Sequence, residues 1–239
     1  MTDERLIVAL DVHSMDEVES LVETLGDSVG FYKVGMELFY SMGAQVIEYL
    51  KSKQKKVFLD LKLHDIPNTV ASALRVLTRL GVDMINVHAT GGLIMMEKAL
   101  EAVKDEAEKL GIERPKLVAV TILSSISLKD WNRMWPDIEL DDQAVHLAKL
   151  VQEAGLDGVI SSPMEAETIR QACGEDFLIV TPGVRPAGAA INDQSRITTP
   201  AIALGSGATH LVVGRPIRLA LNPKHAAENI LKEMGSVKS

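Results

Sequence analysis

Eight times along this 239-residue chain a short apolar run rich in β-forming residues is followed by an amphipathic stretch. The runs are Leu6–Leu10, Val29–Val34, Lys56–Leu61, Met84–Val87, Lys116–Ile122, Gly158–Ile160, Phe177–Val180 and His210–Val213. Shared among eight repeats, 239 residues give about 30 per repeat, the size of one βα unit. Helical signals fill the intervals. Ser14 and Glu17 form an S-x-x-E capping box ahead of Val18, Leu21, Val22 and Leu25. Pro67 opens a helix with Val70, Ala73, Leu74 and Leu77 on one face. Met95, Met96, Ala99, Leu100 and Val103 follow the fourth run, and Ala144, Val145, Leu147, Ala148 and Val151 precede the sixth. Continuous apolar strands alternating with helices predict a parallel sheet.

Eight such units favour an α/β fold of one domain over residues 1–239, a (β/α)8 or TIM barrel with eight parallel strands. An open doubly wound sheet is the alternative. It would more often carry a glycine-rich turn after its first strand, and Asp11–Val12–His13–Ser14 has none. No Pro/Gly/Ser linker divides the chain. Its 46% apolar and 24% charged residues exclude disordered, collagen-like and low-complexity classes.

The net charge of −8 argues against nucleic acid as the main partner, because phosphate backbones select basic surfaces. A small anionic substrate needs only a local positive cluster. One cysteine, Cys173, excludes an internal disulfide and fits a reducing compartment. The start of the chain shows neither a secretory leader of the usual form nor an 18-residue apolar run, so a cytoplasmic protein without a membrane partner is expected. The six histidines have no H-x-x-x-H spacing and no acidic triplet has Ca²⁺-loop form, so no metal or other cofactor is expected. His64 and His88 near strand ends read as satisfied structural histidines, Trp131 and Trp135 as packing residues, and Cys173 as an inert thiol.

Strand alternation puts Ile7, Ala9 and Asp11 on one side, as it does Phe31, Lys33 and Gly35, and Phe58, Asp60 and Lys62. Val57, Leu59 and Leu61 face the other way and suit a helix layer. Three strands therefore carry inward charges at their C-terminal ends, where barrels build active sites. A buried ion pair is weak evidence of stability, so Asp60 and Lys62 point to function. Asp65, just ahead of Ile66–Pro67, reads equally well as a helix cap, and Thr69 as a first-turn residue. The seventh run continues into Thr181–Pro182–Gly183–Val184–Arg185–Pro186, and the polar segment through Arg196 reads as a lid. The eighth ends in Val213–Gly214–Arg215–Pro216, a phosphate-site pattern: an approachable glycine, a guanidinium and a helix start.

Together these segments resemble the orotidine 5′-monophosphate decarboxylase family. The likeness rests on Asp60–Leu61–Lys62–Leu63–His64–Asp65–Ile66–Pro67–Asn68–Thr69, Thr181–Pro182–Gly183–Val184–Arg185–Pro186, Asp193–Gln194–Ser195–Arg196 and Val213–Gly214–Arg215–Pro216–Ile217. It extends to Leu10–Asp11 and Tyr32–Lys33–Val34–Gly35. The D-x-K-x-x-D core is shared with related barrels such as 3-keto-L-gulonate 6-phosphate decarboxylase, and its continuation is more specific. The resemblance implies cofactor-free conversion of orotidine 5′-monophosphate to UMP and CO2. It implies that Lys62 is the proton donor to C6, Asp60 the carboxylate beside the leaving carboxylate, and Lys33 and Asp11 ribose contacts within one charged network. It implies a homodimer in which Asp65 and Thr69 reach the neighbour's site. Ser124 corresponds to the hydroxyl at the pyrimidine edge, where many relatives have threonine. Pro182, Arg185, Gln194, Gly214 and Arg215 correspond to the lid and phosphate set.

Overall fold

The structure, a computed structural model, describes residues 3–186 and 198–235. Eight strands run in parallel and close into a barrel in chain order: β1 (Leu6–Ala9), β2 (Phe31–Gly35), β3 (Lys56–Leu63), β4 (Met84–His88), β5 (Lys116–Val120), β6 (Gly158–Ile160), β7 (Leu178–Pro182) and β8 (His210–Val213). β8 pairs back onto β1, Leu6 opposite Leu211, so no strand edge is left unpaired. The open-sheet alternative is thereby excluded. All eight expected runs are strands, with ends shifted by one or two residues. The shift matters only in β3, which extends to Leu63 and so includes Lys62.

Alternation sorts the apolar residues into two cores. Ile7, Ala9, Phe31, Phe58, Met84 and Val118 fill the barrel interior, joined by valines and Ile160 from β5–β8. Val8, Tyr32, Val57, Leu59, Leu61, Ile85 and their counterparts pack outward against the helices. The helices are α1 (Met15–Leu25), α2 (Met36–Met42), α3 (Gln45–Ser52), α4 (Pro67–Thr78), α5 (Leu93–Leu110), α6 (Leu128–Met134), α7 (Leu140–Glu153), α8 (Ala166–Cys173), α9 (Pro200–Gly205), α10 (Arg215–Arg218) and α11 (Pro223–Gly235). Ser14 caps α1 by accepting the Glu17 N–H. The expected box is altered: the Glu17 carboxylate reaches one residue further back, to the His13 N–H at 2.7 Å. Trp131 is buried and its indole N–H donates to the Ile138 carbonyl, as a packing residue should.

The N-terminal mouth of the barrel is closed by a repeated device. The residue just before an even-numbered strand donates its backbone N–H to a residue of the preceding odd strand and takes that residue's N–H on its side chain. Asp83 does this with Val57 (2.9 and 2.7 Å), Asp157 with Leu117 (3.0 and 2.8 Å) and Thr209 with Ile179 (2.8 and 3.0 Å). Each clamp satisfies a backbone donor at a strand start. Among the described residues no helix is long and apolar enough to cross a membrane.

Candidate active site

The expected charges converge at the C-terminal mouth. Lys33 on β2 and Asp60 and Lys62 on β3 point inward above the apolar interior, and Asp11 follows the end of β1. Lys62 Nζ donates to Asp60 Oδ1 at 2.7 Å. Lys33 Nζ lies 3.3 Å from Asp60 Oδ2 and 3.4 Å from Asp11 Oδ1. The array is therefore Asp11–Lys33–Asp60–Lys62, with each interior member shared between two partners. Burial pushes the Lys33 ammonium toward neutrality, but the Asp60 and Asp11 carboxylates outweigh it and hold the pKa above the usual lysine value. Burial likewise raises Asp60, and Lys33 and Lys62, aided by the Asn86 amide, pull it below the usual carboxylate range. A buried array of opposite charges is costly to assemble and rigid once formed.

Two glycines make room for it. A Cβ on Gly35 would stand 3.2 Å from Lys33 Nζ, and one on Gly214 would stand 3.2 Å from Asp11 Oδ2. Lys62 carries strain of its own. Its φ of 53° is left-handed, a region where a lysine costs on the order of 1 kcal/mol. Strain of this kind gathers at functional sites.

A cavity of about 300 Å³ opens over the array, lined by Lys33, Asp60 and Lys62 on one side and by Ser124, Ser161 and Pro182 on the other. A second pocket of about 200 Å³ shares the two lysines and Asp60 and continues to Asp11 and Gly35. A larger cavity of about 470 Å³ lies alongside, between His64, His88, Ile122, Trp131 and Leu147. No lysine, aspartate or glutamate lines it, so the charge chemistry belongs to the smaller cavity. His64 and His88 differ from expectation here. Neither ring has a hydrogen bond; they lie against each other with centroids 5.4 Å apart. Burial, then His64 and Lys62, keeps the His88 pKa below the usual value.

Where the phosphate set is expected, Arg185 is buried, its backbone N–H donating to the Thr198 carbonyl and its Nη1 to the Val184 carbonyl. Gly214 precedes α10, a single turn beginning at half-buried Arg215. Gln194 and the lid expected through Arg196 lie outside the described residues. Asp65 and Thr69 are exposed, and Asp65 makes no ion pair with Lys62. Nor does Asp65 cap α4: its carboxylate accepts only the adjacent Ile66 N–H, and Ile66 holds the cap position. Among the described residues no cluster of three or more His, Cys, Asp or Glu could hold a metal ion. Cys173 is buried at the end of α8, and burial pushes its thiol pKa up.

Sequence reasoning passed over two residues. Asn86, fully buried on β4, hydrogen-bonds both Asp60 and Lys62. Ser161, just past β6, lines the cavity with a buried hydroxyl. Asn86 had one signal: it shares the inward parity of Met84 and His88, a polar side chain in the middle of an interior row.

A closed barrel with alternating lysines and carboxylates at its C-terminal mouth defines the chain as an α/β-barrel enzyme. The model of the orotidine 5′-phosphate decarboxylase / HUMPS family matches residues 4–230. An orotidine 5′-phosphate decarboxylase of Trichlorobacter lovleyi is 50% identical over 230 residues, covering 96% of this chain and 95% of the relative. One from Syntrophomonas wolfei is 50% identical over 233 residues, 97% of this chain and 98% of the relative. The crystal structure of orotidine 5′-phosphate decarboxylase from Lactobacillus acidophilus superposes with a TM-score of 0.85 at 42% identity, covering 97% of this chain and 99% of that one. The chain belongs to the orotidine 5′-phosphate decarboxylase / HUMPS family.

Proposed function

We propose that Lys62 is the acid of a decarboxylation carried out by this array. The reaction is the conversion of orotidine 5′-monophosphate to UMP and CO2, a carboxy-lyase step of pyrimidine biosynthesis. Breaking the bond from C6 to the carboxylate leaves an electron pair in the ring plane, where the pyrimidine π-system does not absorb it. A fixed ammonium stabilises that pair electrostatically and then delivers a proton to C6. Lys62 afterwards regains a proton from solvent. The observation that carries the reading is the shared carboxylate. Asp60 holds Lys62 at 2.7 Å and Lys33 at 3.3 Å, which fixes a cation at the cavity wall before substrate arrives.

In this reading Asp60 lies beside the substrate carboxylate and Asp11 and Lys33 take the ribose hydroxyls. Ser124 reads the pyrimidine edge, and Pro182, Arg185, Gln194, Gly214 and Arg215 enclose the phosphate. The decisive assay follows the pyrimidine absorbance of orotidine 5′-monophosphate with and without EDTA. Turnover indifferent to chelator is expected. Turnover abolished by EDTA would assign the chain to metal-dependent chemistry instead.

The enzyme works as a homodimer in which Asp65 and Thr69 enter the neighbour's site. Both are exposed, and so are apolar side chains in or at the start of the helices that follow β2, β3 and β4 and in the connection after β5: Met36, Tyr40, Ile66, Ile94 and Leu123. Exposed apolar side chains at the C-terminal end of the barrel support a contact surface there. Mixing Asp65→Ala with Lys62→Ala chains should restore activity, since one site of each hybrid keeps both residues. Proven subunit exchange without recovery would count against sharing. The family's biosynthetic role supports a cytoplasmic location.

A further inference from the structure

We infer that Asn86 is a positioning residue for this decarboxylation: its carboxamide sets the placement of Asp60 and Lys62 relative to each other. The inference rests on the reading of Lys62 above and extends it to the neighbouring strand. The register of β3 on β4 breaks at the site. Leu59 pairs with Ile85 and Leu63 with Val87, so β3 advances four residues while β4 advances two. The surplus forms a bulge, and Lys62 takes up its left-handed φ within it.

A ladder interrupted in this way leaves the Lys62 N–H without a strand carbonyl. Asn86 Oδ1 accepts it at 2.8 Å. The other end of the same amide, Nδ2, donates to Asp60 Oδ1 at 2.7 Å. The orientation of the amide is forced, because a backbone N–H only donates and an ionised carboxylate only accepts. Asp60 Oδ1 also receives Lys62 Nζ at 2.7 Å. One buried side chain thus grips the backbone of the proposed acid and the carboxylate that holds its ammonium.

The titratable groups around the amide are Asp60 and Lys62 on β3, Lys33 on β2 with Asp11 behind it, His88 at the end of β4 and His64 just past β3. β5 presents only Val118 and Val120. A leucine at position 86 would strand the Lys62 N–H and release one side of Asp60. An aspartate would keep the acceptor for Lys62 and lose the donor to Asp60, setting two carboxylates within hydrogen-bond distance. Such a pair shares a proton. Once it is protonated, the new O–H points at Asp60 as the amide did.

The test measures kcat and KM for orotidine 5′-monophosphate against pH, with UMP affinity and melting temperature, for wild type, Asn86→Leu and Asn86→Asp. Asn86→Leu should lower kcat about 10²-fold, the effect of displacing a reacting group by roughly 1 Å, with KM and UMP affinity within a few-fold of wild type. Asn86→Asp should be impaired at neutral pH and regain kcat as pH falls and the shared proton binds. A role confined to folding would not produce that profile. The inference is overturned if Asn86→Leu keeps kcat within twofold of wild type, or if Asn86→Asp shows a wild-type pH profile. If Asn86→Leu does not fold, Asn86→Asp, which has the same volume, decides alone. Failure of the underlying reading is separate: wild type would not turn over, or Lys62→Ala would stay active.

Discussion

The two mouths of the barrel are both charged, and they use charge in opposite ways. At the N-terminal mouth the Asp83 and Asp157 carboxylates are tied to backbone. Asp157 takes the Leu117 N–H and a bidentate Arg114 at 2.6 and 2.9 Å, and Asp83 takes the Val57 N–H and Lys51 at 2.8 Å. These carboxylates are satisfied by backbone and side-chain donors. At the C-terminal mouth Lys33, Asp60 and Lys62 satisfy mainly one another, on a strained backbone under open space. The first arrangement lowers the free energy of the fold. The second holds charges where a ligand will need them.

The largest contrast should come from Lys62→Ala. Loss of a general acid costs 10²–10⁴-fold and loss of an electrostatic stabiliser a further 10²–10³, so turnover should fall by about 10⁴-fold or more. The melting temperature should change little, since Asp60 keeps Lys33 and the Asn86 amide as partners. A variant with wild-type kcat would end the distinction between the mouths. Asp157→Ala is the mirror experiment. It leaves Arg114 without its partner and the Leu117 N–H unmet, and should cost about 3 kcal/mol in urea unfolding while kcat stays within twofold.

His210 at the N-terminal mouth sharpens the comparison through pH. Burial pushes its pKa down from 6.5 to about 4, while nearby carboxylates and cations largely offset one another. The folded protein keeps the ring neutral where the unfolded chain protonates it. Stability therefore rises with pH across that window and is lost as pH falls from 6.5 toward 4, by up to about 3 kcal/mol. Unfolding of His210→Phe as a function of pH should lack this slope. The smallest effect belongs to Arg215→Ala. It should reduce kcat/KM for the nucleotide by about 1.5–3 kcal/mol, the worth of one charge-assisted contact, and leave decarboxylation of orotidine unchanged. Equal slowing of both substrates would remove Arg215 from the phosphate end.

Alternation made much of this legible. The parity of Phe58–Asp60–Lys62 and Phe31–Lys33 gives both the interior face and the site, because the β2–β3 pairing runs unbroken from Phe31–Lys56 to Gly35–Asp60. The bulge in β3 was hidden. Lys56–Leu63 contains no glycine, and its left-handed residue is a lysine held by tertiary contacts rather than by local preference. Asn86 was hidden for a related reason, since its two bonds depend on the register of a strand more than twenty residues away. The clamps at Asp83, Asp157 and Thr209 also depend on pairing between strands. Asp65 and Thr69 mark another limit: one chain leaves them exposed.

Between the two mouths stands the inner layer of Ile7, Phe31, Phe58, Met84 and the residues from β5 to β8, none more than 8% exposed. It is a packed apolar layer that separates the two charged mouths. His210 meets it from below, edge-on to Phe31 at 6.3 Å, without access to the chamber above. In the proposed mechanism a proton spent at Lys62 is therefore not replaced through this packed layer. Its replacement must come through the same doorway that admits the nucleotide and releases the gas. In that mechanism recharging the acid and emptying the chamber both pass through the C-terminal mouth of the barrel.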